Sequence, residues 1–141
     1  MLAISLAITM MCAAADPHME IAVRLVVPKQ VAAEAAVRAT GDASAAAPIL
    51  MLERLEVVAG ERVTIEVLGP ADHKKTRPVL AVSGLVGSGS VSANAPIETM
   101  DLVVPLNDKA TRLIARKDEV TLTLRLRNGH HPLKFKRAYL R

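Results

Sequence analysis

ILMLERLEVVAGERVTIEV, from Ile49 to Val67, reads as two extended segments joined by a tight Ala59-Gly60 turn. In the second segment Val63, Ile65 and Val67 alternate with Thr64 and Glu66. Successive side chains of a strand point to opposite faces, so this alternation predicts a half-buried strand. In the first segment Ile49, Met51, Leu55 and Val57 share one parity, and Glu53 interrupts it. An interrupted parity predicts a β-bulge or a strand edge at Glu53. Gly69-Pro70 ends the block.

Similar signals extend outward from it. Ile21–Val27 (IAVRLVV) is β-rich and stops at Pro28. Val31–Ala47 is rich in alanine, with Gly41, Asp42 and Ser44 inside it. Val31–Ala39 suits a helical turn or two, but the stretch as a whole reads as a linker. Downstream, Ala71–Pro78 is a polar loop carrying His73, Lys74, Lys75 and Arg77, and Val79–Val86 is a strand. Gly87–Pro96 (GSGSVSANAP) is a flexible loop without the Gly-Lys-Ser/Thr ending of a phosphate loop. Ile97–Val104 is a strand ended by Pro105.

Asn107 is placed to cap a short helix over Asp108–Arg116, with Leu106, Ala110, Leu113 and Ile114 on its buried side. Val120, Leu122, Leu124 and Leu126 then alternate with Thr121, Thr123, Arg125 and Arg127. Asn128-Gly129 follows, which predicts a closing hairpin. In that hairpin Leu133, Phe135 and Tyr139 continue the inward face. Lys134 and Lys136 join Arg125 and Arg127 on the outer one. Short strands separated by turns predict an all-β antiparallel sandwich of about six to eight strands with one short helix. The expected organisation is a signal peptide over 1–15, a leading strand and Ala-rich linker over 16–48, and the sandwich core over 49–141.

The signal reading rests on MLAISLAITMMCAAA, which is apolar, uncharged and ends in three alanines. It is shorter than the roughly 20 apolar residues of a membrane span, so no stable span is expected there. Export would make the mature chain extracytoplasmic, periplasmic or secreted. Cys12 is the only cysteine among 141 residues, which excludes an internal disulfide and a cysteine-based metal site. The apolar share is 51%, ample for one core, and that core must be aliphatic because Phe135 and Tyr139 are the only aromatics. So few flat rings argue against a single-stranded nucleic-acid platform.

The net charge of +4 is unevenly spread. Lys109–Arg141 holds ten Lys or Arg against two acids, Asp118 and Glu119. Arg125, Arg127, Lys134 and Lys136 are therefore the candidate partner-binding residues, suited to an acidic protein surface. Like charges across neighbouring strands repel. An acidic partner would neutralise them, and so would acids of a neighbouring strand such as Glu53 or Glu56. His73, His130 and His131 are candidate ligands for weak copper binding, although adjacent strand residues diverge and make chelation by His130 and His131 together awkward. No nucleophile–base pair has a recognisable spacing: Ser83, Ser88, Ser90 and Ser92 lie in or near a Gly-rich segment without a matching His or Asp. The residues thus suggest neither an enzyme nor a bound cofactor.

The Ile49–Val67 block resembles the C-terminal β domain of tyrosinases and plant-type polyphenol oxidases. In that family a strand of the type LVIEGIEV leads through a short polar turn to a VKFDV strand. Here ILMLERLEV, VAGER and VTIEV follow without a gap, and Thr64, Ile65, Glu66 and Val67 fall on the family's Lys-Phe-Asp-Val. The order of the preceding IAVRLVVPK strand and the following DLVVPLNDKATRLIARKDEVTLTLRLRNG agrees as well. Where the family has aromatics around its middle strands, this chain has Leu80, Val82 and Leu85. The resemblance implies a non-catalytic accessory domain that docks on and shields a type-3 copper oxidase domain. The residues alone leave two alternatives: an exported immunoglobulin-like binding module using the basic hairpin, and a weak copper carrier.

Overall fold

The strand and helix signals map onto β1 (Met19–Val26), α1 (Lys29–Ala39), β2 (Ile49–Val58), β3 (Arg62–Leu68), β4 (Val79–Val86), β5 (Ile97–Pro105), α2 (Asp108–Ile114), β6 (Glu119–Asn128) and β7 (Arg137–Leu140). The structure is a computed structural model that describes residues 19–71, 73–87, 97–128 and 131–141. All strand pairs are antiparallel and fall into two sheets, β1-β6-β3-β4 and β5-β2-β7. The fold is therefore mixed, loosely sandwich-like, with two helices rather than the single one expected. Leu52, Leu55, Ile65, Leu80, Leu122, Leu124 and Leu140 fill the space between the sheets and are almost wholly buried. Every one of them is aliphatic, as the composition requires.

The Ala-rich stretch expected as a linker is helical over its first part. Val31, Ala32 and Ala35 are its buried face, and Ala35 lies in the core with Ala110 of α2. Alanine is the best helix former, and its small side chain lets two helices approach closely. It also contributes little contrast between faces, so the helical period is faint in the sequence. The residues that suggested a linker lie past the helix end: Thr40 caps it, and Gly41 takes a left-handed φ of 106°. In α2 the Asn107 side chain accepts the hydrogen bond of the Ala110 N–H at 3.2 Å, as the capping pattern predicted.

The bulge expected at Glu53 is present, between Leu52 and Leu55. It reverses the parity of β2, so the side chains facing the core are Leu50, Leu52, Leu55 and Val57. Met51, which shares the sequence parity of Leu55 and Val57, lies on the opposite face between Val103 and Tyr139. Gly60 makes the turn after β2 with φ 79°, and the Glu61 N–H closes it on the Val58 carbonyl at 3.0 Å. The chain then passes to the other sheet.

The closing hairpin is not formed. β6 has β1 on one side and β3 on the other, so both of its edges are occupied. No strand can add beside β6 there, and β7 pairs with β2 of the other sheet instead. The Asn128 side chain accepts a hydrogen bond from the Thr64 N–H across the sheet at 2.7 Å. Ala138 and Leu140 face the core, and Tyr139 faces away with the Arg137 guanidinium 4.3 Å above its ring.

Candidate functional site

The four predicted basic residues separate into two groups on different sheets. Arg125 and Arg127 lie on the outer face of the four-stranded sheet. The register places Arg125 between Glu20 of β1 and Glu66 of β3. The Arg125 guanidinium donates to Glu20 Oε2 at 3.1 Å and to Glu66 Oε1 at 3.2 Å. Arg127 donates to Glu66 Oε2 at 2.9 Å. Glu66 is only 7% exposed, so its charge needs these partners. Arg77, from the loop before β4, adds a two-pronged pair to Glu20, both contacts at 3.0 Å.

These contacts set the ionisation of the pair. Hydrogen bonding to Arg77 holds the Glu20 carboxyl below its ordinary 4.5, against the opposing effect of burial and with help from Arg125. The same pair raises the pKa of the Arg77 guanidinium. The acids that neutralise the arginines are thus Glu20 and Glu66, not Glu53 or Glu56. Parity on β3 had marked Glu66 as outward, but nothing local identified the strand beside it.

Lys134 and Lys136 lie against the other sheet, at the bulge of β2. The Glu56 N–H bonds to the Lys134 carbonyl and the Lys136 N–H bonds to the Glu53 carbonyl, each at 2.9 Å. These bonds fasten the segment before β7 along the bulged strand. The extra residue of the bulge, Arg54, has a left-handed φ of 53°, and its N–H bonds to the Asp101 carboxylate at 3.0 Å. Non-glycine residues rarely adopt this conformation. Arg54, Glu56, Lys134, Phe135 and Lys136 line one open depression of about 660 Å³. Among the described residues, no carboxylate makes an ion pair with Arg54, Lys134 or Lys136. Arg54 is the member of this group that charge counting in the C-terminal third missed. The predicted bulge at Glu53 was the signal that pointed near it.

The structure does not bring the candidate metal ligands together where it describes them. His73 is exposed in the loop between β3 and β4. His131 Nδ1 lies 3.1 Å from Glu61 Oε2, and His130 falls outside the described residues. Among the described residues, no three His, Cys, Asp or Glu side chains converge on a metal-sized site. No described helix is long and apolar enough to cross a membrane. No protein-family model matches this chain, and no curated protein does either. The functional reading therefore rests on the geometry and on the residues themselves.

Proposed function

We propose that this chain is a non-catalytic, exported accessory module of antiparallel β-sandwich type that docks on a partner protein at the bulge of β2. The observation that carries the reading is the bulge depression, where Arg54, Lys134 and Lys136 outnumber the one lining carboxylate, Glu56, and Asp101 is held on the Arg54 N–H. The rigid sheet behind it suits recognition, since two strands and a fastened segment hold the charged groups in place. The resemblance of Ile49–Val67 to the C-terminal domain of polyphenol oxidases nominates a type-3 copper oxidase domain as the partner. Docking there would shield the oxidase's active-site entrance.

The test mixes the purified chain with a type-3 copper oxidase from which the C-terminal domain has been removed. Co-elution on size exclusion and slower turnover of a diphenol are expected. Arg54→Glu combined with Lys134→Glu should abolish both effects. Separate elution with unchanged turnover would remove the oxidase as the partner.

A further inference from the structure

The bulge depression combines charge and apolar surface in a way that restricts what it can hold. Its cations are Arg54, Lys134 and Lys136, all exposed. Its apolar lining includes Leu133, which is 8% exposed, and the half-buried ring of Phe135. Phe135 is one of the only two aromatics in the chain. Glu56 lies among the cations and would repel a continuous polyanion. The arginines of the four-stranded sheet are neutralised by acids within the fold, whereas no described acid pairs with the bulge cations.

Spacing supplies the remaining restriction. Residues 134 and 136 are both bonded to β2 through their backbones, so the two lysines are two positions apart on a fastened segment. In an extended peptide, carboxylates two positions apart lie about 6.6 Å apart along the chain. Leu133 and Phe135 alternate in burial with Lys134 and Lys136, so a peptide lying alongside this segment would set acids beside the lysines and, on its opposite face, apolar residues beside Leu133 and Phe135. We propose that the bulge depression binds an extended acidic peptide segment in which Glu or Asp alternates with bulky apolar residues. This rests on the docking reading above and specifies the chemistry of the partner surface. Arg54 is placed in the site by the bulge, in a backbone conformation that favours glycine.

The probe is a fluorescein-labelled peptide, Glu-Leu-Glu-Phe-Glu-Leu-Glu, titrated with the full chain and followed by fluorescence anisotropy. Saturable binding is expected, weakening about tenfold between roughly 0.05 M and 0.5 M salt as the exposed charges are screened. Lys134→Glu with Lys136→Glu should weaken it by at least about tenfold. Arg54→Gly should weaken it severalfold while the thermal midpoint stays the same or rises, which a merely structural role for this side chain would not produce. Lys109→Glu with Lys117→Glu, the same charge change at exposed lysines in and just after α2, should have little effect.

Equal loss with Lys109→Glu and Lys117→Glu together would show that net charge alone governs binding and would overturn the proposal. Equally tight binding of an all-Glu peptide would overturn it in favour of a polyanion site. If the peptide fails while the oxidase still co-elutes, the partner chemistry is wrong and the docking reading stands. If both fail, the docking reading falls with it.

Discussion

Two groups of basic residues, on the outer face of the four-stranded sheet and at the bulge of the three-stranded one, have opposite electrostatic settings. On the first, Arg77, Arg125 and Arg127 share Glu20 and Glu66 across neighbouring strands. Each of the three makes at least one charge-assisted hydrogen bond within the fold. At the second, Arg54, Lys134 and Lys136 carry the same charge without such partners among the described residues. The difference shows that what lies across the strand from basic residues, not how many there are, decides whether acids within the fold neutralise them. Breaking a surface ion pair costs little, whereas removing a partner from a nearly buried carboxylate costs more, because the charge left behind loses its compensation.

The largest expected effect comes from breaking the satisfied side. Glu66→Ala leaves Arg125 and Arg127 without their shared acid, and it should lower stability by about 2 kcal/mol. The loss is modest because Arg127 is half exposed and water answers part of its charge. Urea unfolding checks it. A loss under about 0.5 kcal/mol would place this network with ordinary surface pairs and erase the contrast.

Acid titration gives a smaller effect with a defined sign. Glu20 has a folded pKa below its ordinary 4.5, so the unfolded chain takes up the proton first as pH falls. Its contribution is therefore complete above pH 4.5 and is lost as pH drops below that value toward the folded pKa. In Glu20→Gln this part of the acid-induced loss should disappear. Thermal midpoints of both proteins across that window measure it, and parallel curves would show that Arg77 and Arg125 do not hold Glu20 in solution.

The smallest stability effects are expected at the bulge. Lys134→Ala and Lys136→Ala should each change stability by less than about 0.5 kcal/mol. Arg54→Gly should add about 0.5 kcal/mol by relieving the left-handed backbone. A clear loss on any of these changes, measured by denaturant midpoint, would mean that the bulge cations stabilise the fold and are not held in reserve for a partner.

Much of the strand pattern was legible because alternation records burial directly. Val120–Arg127 reads inward and outward without exception, and Asn107 announces its helix through cap chemistry that is entirely local. The alanine helix was obscured because alanine marks no face strongly. In β2 alternation located the bulge but not the inward face, because one inserted residue reverses every side chain that follows it. The site was harder to read. Lys134 and Lys136 were recognisable as candidates, but they were assigned to the wrong surface, and Arg54 was not selected at all.

By itself the sequence determined the elements, the aliphatic core, the turn at Gly60, the bulge near Glu53 and the excess of basic residues toward the C-terminus. Only the tertiary structure decided which strands are neighbours. Alternation specifies which way a side chain points, and turn residues specify where the chain bends, but neither specifies the sheet on which the next strand lands. Because β6 is flanked by β1 and β3, Arg125 meets Glu20 and Glu66, while the chain beyond Asn128 crosses to β2 and carries Lys134 and Lys136 to Arg54. Charge neutralisation depends on distances of a few ångströms between residues far apart in the chain, and those distances exist only once the strands have paired.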